Sequence, residues 1–277
     1  MRISAIVTTY ERPEFLARCL ASLEAQTRLP DEVIVADDGS GPAALAAAQA
    51  HVEACALPGQ VVTQPDEGFR AAASRNNAVR AASGDWFFFA DGDLLFLPDA
   101  IEQHLALSEE GRLWTTGFAL PLSSEETAAL DTTALRARGV SELWPAEDDP
   151  RHAVLREQHL RFERKLRLAR VAPLEAHLRK LAMRSCNASV SRTAFERVNG
   201  FDEAYVGWGC EDDDLALRLL LAGEWCRSAL LAARALHMHH PRESLVDVGG
   251  RQVSPNHRYH KRHRWRRYVA ERGLRRS

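Results

Sequence analysis

The chain has no apolar run of 18 or more residues, so no transmembrane helix is expected. It is poor in cysteine, with five at positions 19, 55, 186, 210 and 226. An odd number without framework spacing argues against a disulfide scaffold and implies free thiols in a reducing cytoplasm. The start, Met1-Arg-Ile-Ser-Ala-Ile-Val7, enters a β-branched run at once and lacks a signal-peptide pattern. No internal repeat and no flexible linker interrupts the 277 residues, a length that fits one large α/β domain. The sequon Asn187-Ala-Ser189 is therefore read as coincidental. There is also little net charge, −2, but this small sum conceals a gradient. Residues 251–277 carry ten Lys/Arg against one acid, leaving residues 1–250 strongly acidic. Such a tail suits a solvated helix or peripheral contact with an anionic membrane, with Trp265 and Tyr268 favouring an interface. No recognised binding motif accompanies it, so nucleic acid is not an expected partner.

What the chain does have is a pattern of strands and helices. Ile3–Thr8, Glu32–Ala36, Gln60–Thr63 and Trp86–Ala90 read as strands; a helix is predicted after Pro13 from the spacing of Phe15, Leu16, Cys19, Leu20 and Leu23, and further helices over 42–55 and 70–82. That alternation predicts βαβ units and a mostly parallel sheet flanked by helices. Ligands of such sheets sit beyond the carboxyl ends of the strands. Three of these ends carry polar residues: Thr9-Tyr10-Glu11, Asp37-Asp38, and Asp91-Gly-Asp93. Further on, the pattern predicts a helix over 98–109, one strand over 113–122 and a polar stretch over 123–150. Basic helices broken at Pro173 follow over 151–184, then a strand over 187–191 and a helix from 211 to 223. Strands over 225–231 and 234–238 precede a terminal helix over 255–271.

The residue Asp91-Gly-Asp93 closes an aromatic run, Trp86-Phe-Phe-Phe-Ala. Carboxylates beside a core need a cation, and hard oxygen ligands suit Mn²⁺ or Mg²⁺ shared with a phosphate. Glu211-Asp212-Asp213-Asp214 opens a helix behind Gly207-Trp208-Gly209. One or two acids would complement the helix dipole; four suggest chemistry, with one ionised carboxylate as general base. Trp208 offers a flat apolar face suited to a sugar ring. His237-Met-His-His240 follows a predicted strand and could complete a metal shell begun by Asp93. Arg70 starts a helix and is the better candidate to meet a nucleotide, whereas Arg75 reads equally well as an exposed charge. Asn76 and Asn77 are expected to cap or bond a neighbouring loop.

These motifs, taken with Ile34-Val-Ala-Asp-Asp-Gly-Ser40 and Gly68-Phe-Arg-Ala-Ala-Ala-Ser-Arg-Asn76, resemble those of a family 2 glycosyltransferase with the A-type nucleotide-sugar fold. The segment from Asn199-Gly-Phe-Asp-Glu203 to Asp214 resembles the acceptor-side motif of β-galactosyltransferases and chondroitin-type polymerases. The resemblance implies a catalytic domain over 1–250 and a basic extension over 251–277. Within the domain, 1–95 is a nucleotide-binding half, 123–184 a mostly helical excursion and 185–250 an acceptor half. It implies that Thr9, Tyr10, Glu11 and Asp38 hold the nucleotide with Arg70 beside them, and that Asp91 bonds the ribose. Asp93 with His237 or His240 would bind Mn²⁺ or Mg²⁺. Trp208, Glu211 and Asp213 would meet sugars, and Asp212 would be the base of an inverting transfer. The partners implied are a nucleotide sugar, UDP-linked as the first expectation, and a glycan or glycolipid acceptor. Thr8 and Glu11 replace the proline and asparagine frequent in the family. A nucleotidyltransferase acting on a sugar phosphate, or a non-catalytic nucleotide-sugar-binding protein, are the competing readings.

Overall fold

The computed structural model of the chain describes residues 1–108, 113–241, 246–247, 252–263 and 268–275. Strand and helix alternate as predicted through β1 (Ile3–Thr9), α1 (Pro13–Glu24), β2 (Glu32–Asp37), α2 (Pro42–Glu53), β3 (Gly59–Thr63), α3 (Ala71–Ala81) and β4 (Trp86–Asp91). Proline opens α1 and α2, where its fixed φ suits the first turn and its missing N–H has no helical partner to lose. Next come β5 (Leu94–Phe96), α4 (Ala100–Ala106), β6 (Leu113–Thr116), β7 (Phe118–Pro121), α5 (Ser124–Ala128) and α6 (Thr132–Arg138). A 3₁₀ turn, Ser141–Leu143, leads to α7 (Pro150–Val171) and α8 (Glu175–Leu178). The chain continues through β8 (Asn187–Ser191), α9 (Arg192–Arg197), α10 (Glu211–Leu221), β9 (Trp225–Ser228) and β10 (Arg234–His237). Two short strands, β11 (Val246–Asp247) and β12 (Gln252–Val253), precede α11 (His257–His263). Among the described residues no helix is long and apolar enough to cross a membrane.

Seven strands form the main sheet in the order β3-β2-β1-β4-β8-β6-β9. It is mostly parallel, with β8 antiparallel to both neighbours. β1 has β2 on one side and β4 on the other, so the strand order reverses there and opens a crevice at the carboxyl ends. The aromatic run on β4 is continuous because both faces of the sheet are covered. Phe87 and Phe89 pack with Phe195 and Phe201 on one face; Phe88 packs with Phe96 on the other. Each such burial contributes roughly 1.5–3 kcal/mol.

Several expectations are corrected. The single strand expected over 113–122 is two, β6 and β7, lying in different sheets. They part at Gly117, whose N–H donates to the Asn187 carbonyl (2.7 Å) and whose missing Cβ leaves room for the Asn187 amide. Asn187 is wholly buried, which fits the reading of its sequon as coincidental. The unforeseen β5 pairs with β10, and β10 with β7, in a second sheet. The helix expected to end at Glu109 ends at Ala106, and Glu109 lies outside the described residues. Of the terminal helix expected over 255–271, the described residues form α11 and no helix over 268–271, and Trp265 also lies outside the described residues. Residues 270–275 turn back onto the fold. Ala270 N–H donates to Val198 O, Leu274 N–H to Asn199 O, and Arg80 to the carbonyls of Gly273 and Leu274.

Candidate active site

A cleft of about 530 Å³ opens at the carboxyl ends of β1 and β4. Thr9, Tyr10 and Asp38 line one part, and Asp91, Asp93, Trp208, His237 and His240 line the rest. Gly92 lets the two strand ends close up: its N–H donates to the Thr8 carbonyl (2.8 Å), and a Cβ there would sit 3.0 Å from that oxygen. Asp38 accepts from the Arg70 N–H (2.8 Å) and the Gln64 amide (2.6 Å), and burial raises its carboxyl above the usual range despite them. The Tyr10 hydroxyl donates to Asp66 (3.3 Å), whose charge, together with partial burial, raises the phenol.

The second sheet delivers the histidines. Its register sets His237 opposite Leu94, and the Met238 N–H donates to the Asp93 carbonyl (2.9 Å). His240 Nε2 lies 2.9 Å from Asp93 Oδ2, and His237 Nε2 lies 3.8 Å from Oδ1. One ligand atom from each of the three residues lies within 4.8 Å of the others. Asp93 Oδ1 is buried without a hydrogen-bond partner among the described residues. An orphaned carboxylate oxygen between two imidazoles is a donor set that fits a divalent cation, Mn²⁺ better than the oxygen-preferring Mg²⁺. Burial would raise Asp93, but the His240 hydrogen bond and the charges of His237, His240 and Arg12 outweigh it and hold the carboxyl low. The same hydrogen bond raises His240.

Arg75, read from sequence as a charge that could be exposed, is instead buried at the centre of the site. Its guanidinium donates to Asp91 Oδ1 (2.9 Å) and Thr8 Oγ1 (3.0 Å). It also lies 3.6 Å from Glu211 and 3.9 Å from Asp212. Burial pushes Asp91 up to about 6, with Arg75 opposing; burial and then the Asp212 charge push Glu211 up to about 7. Asp213 rises to about 6 for the same two reasons. The Ser185 N–H donates to Asp212 Oδ2 (3.1 Å), while Asp212 Oδ1 is buried without a hydrogen-bond partner among the described residues. Asp214 is different: it pairs with Arg218 (2.7 Å), whose guanidinium also donates to the carbonyls of Val198 and Gly200. The fourth acid of the cluster thus holds the fold.

Trp208 is 46% exposed and faces the cleft, which argues against a core-packing role. The loop carrying it is held from behind by the segment before α11. Ser254 Oγ donates to the Trp208 carbonyl (2.6 Å), and the Asn256 amide donates to the carbonyls of Gly207 and Gly209 (2.9 Å each). Gly207 (φ +84°) and Gly209 (φ +90°) adopt the left-handed backbone this loop requires.

Five expected residues do not line the cleft. The Arg70 side chain pairs with Glu67, and only its N–H serves the site, through Asp38. Glu11 accepts from the Gly41 N–H (2.5 Å), bracing the loop after β2. Neither side chain lines the cleft, nor do Glu211, Asp212 and Asp213 at the head of α10, although Arg75, which does line it, reaches Glu211 and Asp212. Sequence reading overlooked Arg12, Arg184 and Cys186, which do line it. Asn76 does bond a neighbouring loop, through both the N–H and the carbonyl of Phe201.

A mostly parallel sheet with an acid-and-histidine cleft at its switch point defines an A-type nucleotide-sugar fold. Solved structures agree. The mannosyltransferase PcManGT of Pyrobaculum calidifontis, in complex with GDP-Man and Mn²⁺, superposes with a TM-score of 0.58 at 17% identity, covering 87% of this chain and 58% of that one. Staphylococcus aureus TarS in complex with UDP-GlcNAc superposes with a TM-score of 0.57 at 16% identity, covering 88% and 60%. Residues 4–129 match the model of glycosyl transferase family 2, and residues 166–241 match that of the N-terminal domain of galactosyltransferase. Over residues 4–129 the chain is thus similar to the family 2 glycosyltransferases. It is 28% identical over 226 residues to validoxylamine A glucosyltransferase of Streptomyces hygroscopicus subsp. limoneus, covering 78% of this chain and 47% of that protein. It is 27% identical over 249 residues to the hyaluronan synthase of Pasteurella multocida, covering 82% and 23%. The chain thus spans half or less of the length of these relatives.

Proposed function

We propose that this chain transfers a sugar from a nucleoside-diphosphate sugar to a hydroxyl of a glycan or glycolipid acceptor, inverting the anomeric centre, with Asp212 as general base. One observation carries the reading. The Arg75 guanidinium, which lines the cleft, joins Asp91 at the end of β4 to Glu211 and Asp212 at the head of α10, so the two acidic groups share one buried cation beside the cleft. A glucosyltransferase and a hyaluronan synthase among the relatives, with a mannosyltransferase holding GDP-Man and Mn²⁺ and TarS holding UDP-GlcNAc among the structural neighbours, support it.

In this reading Thr9, Tyr10 and Asp38 receive the nucleoside, and Asp91, steadied by Arg75, meets the ribose. Asp93, His237 and His240 would hold Mn²⁺ or Mg²⁺, which when bound offsets charge on the departing diphosphate. The exposed ring of Trp208 offers a face to a sugar, with Glu211 and Asp213 beside it. Asp212 Oδ1, with its lone pairs uncommitted, takes the proton of the acceptor hydroxyl as that oxygen bonds to the anomeric carbon. The bond from that carbon to the diphosphate oxygen breaks, and nucleoside diphosphate leaves. The Ser185 N–H holds the other Asp212 oxygen and so orients the carboxylate.

The test is a thermal-shift screen of nucleoside-diphosphate sugars with and without Mn²⁺. One donor should raise the melting temperature only with the metal, and Asp93→Ala should remove that dependence. Adding the acceptor should then release nucleoside diphosphate. Release of pyrophosphate would turn the reading toward nucleotidyl transfer, and binding without turnover toward a carrier.

A further inference from the structure

Helix α7 has two apolar sides. Leu155, Phe162, Leu166 and Ala169 pack inward against the domain. On the opposite side Leu160 is 62% exposed, Leu168 45% and Val171 86%, and Leu174 just beyond the helix is 62% exposed. At about 100° per residue, positions 160, 164, 167, 168 and 171 share roughly a third of the helix circumference. Arg164 and Arg167 therefore interleave with the exposed aliphatic residues, and Arg161 borders them. The acid on this side, Glu157, is paired with Arg161 (2.5 Å). Scattered exposed leucines are ordinary; a row of them threaded with arginines marks a contact surface.

We propose that this outer side of α7 docks on an anionic lipid surface, with Leu160, Leu168 and Val171 entering the headgroup boundary and the arginines meeting lipid phosphates. Charge complementarity selects this occupant. An apolar protein partner would strip water from the guanidinium groups without replacing it, whereas headgroup phosphates pair with them and the arginine stems lie along the apolar layer. The basic C-terminal residues, expected from sequence to serve this purpose, are in part committed elsewhere, since 270–275 bond back to Asn199 and α3. α7 also adjoins the acceptor side of the cleft. The Lys165 charge acts on Asp213, Gln158 accepts from Arg184 (3.5 Å), and His159 bonds Ser228 (2.9 Å). Docking through α7 would bring that side of the molecule to the bilayer.

The inference stands apart from the reading of the cleft and is tested without turnover. The full chain is sedimented with vesicles of phosphatidylcholine alone or mixed with phosphatidylglycerol. Binding should require the anionic lipid, weaken as salt rises, and fall at least tenfold in Leu160→Glu/Val171→Glu. Arg164→Gln/Arg167→Gln, which leaves the apolar residues in place, should weaken it on the order of fivefold per arginine removed. The melting temperature of each variant shows that it is folded. No sedimentation with anionic vesicles would overturn the proposal. So would binding that both variants retain, which would assign it to the C-terminal residues, or a dimer of the native chain that Leu160→Glu/Val171→Glu dissolves.

Discussion

The nucleotide-binding half and the acceptor half are built by different means. In residues 1–95, parallel strands end in short loops, and the polar residues at those ends are held mostly from within the same half, Asp93 with its two histidines being the exception. In the acceptor half almost every site residue is held by a partner far away in sequence. Arg75 on α3 meets Glu211 and Asp212, Asn76 holds Phe201, and Ser254 and Asn256 hold the Trp208 loop. The first arrangement makes a platform from strand pairing and short-range side-chain contacts; the second makes a loop whose shape depends on a few particular hydrogen bonds. Substitutions behind the Trp208 loop should therefore affect acceptor use selectively, and those at the junction should affect the whole fold.

The largest expected effect lies where the halves meet. Asp212→Asn keeps the side-chain oxygen that accepts from Ser185 N–H but removes the proton acceptor. Turnover should fall by about 10² to 10⁴, while donor binding measured by calorimetry stays near that of the native chain. Near-normal turnover in this variant would remove Asp212 from the base role. Arg75→Ala comes next and acts on the fold. It strands Asp91, Glu211 and Asp212 without their shared cation, and breaking a buried ion pair in this way costs about 3–5 kcal/mol. Urea unfolding should register the loss, and Arg75→Lys should restore only part of it, because an ammonium cannot reach Thr8 and Asp91 with one fork. A cost below that of an exposed ion pair would mean the two halves do not depend on this link.

The different construction explains what could be read from sequence. Strand and helix periodicity revealed the parallel half of the main sheet, β1 to β4, and three polar strand ends marked the cleft, because both signals are local. Arg75 carried a usable signal too. It lies four residues after Ala71 and three before Ala78, on the buried stripe of an alanine-rich helix, so helical spacing placed it inward. The pairing of His237 and His240 with Asp93 was legible only as residue types. Their meeting depends on β5, three residues long and hidden in the continuing apolar run after Asp93, and on its pairing with β10. The Ser254 and Asn256 contacts had no sequence signal at all, since ordinary polar residues in a loop reveal no partner nearly fifty residues away.

A third test sharpens the contrast through pH. Glu211 stands at about 7 in the fold, against an ordinary 4.5, because it is buried and beside Asp212. A carboxyl raised by folding holds its proton more tightly in the native state. Its contribution to stability is therefore full below about 4.5 and is lost as pH rises through about 7. Asp91, raised to about 6, acts in the same direction over a lower window. With metal chelated, the urea midpoint should fall across this range, and Glu211→Gln should flatten the upper part of the fall. An equally steep fall in the variant would show that the acids at the head of α10 do not titrate as one buried group with Arg75.

The smallest expected effect is the most selective. Asn256→Ala removes two hydrogen bonds from the carbonyls that flank Trp208, each worth about 1 kcal/mol net, while Ser254 still holds the carbonyl between them. Gly207 and Gly209 have no side chains to keep the loop in its left-handed form, so the freed backbone gains many alternatives. Trp208 should become more mobile, which steady-state emission anisotropy can follow in a variant where the other tryptophans are replaced. The acceptor KM should rise a few-fold with kcat and donor affinity nearly unchanged, because Asp212 is fixed separately by Ser185 and α10. Asn256→Asp should not rescue it, since a carboxylate offers no donor to either carbonyl. A loss of donor affinity equal to the rise in acceptor KM would mean that the loop serves both halves, and the division between them would no longer hold.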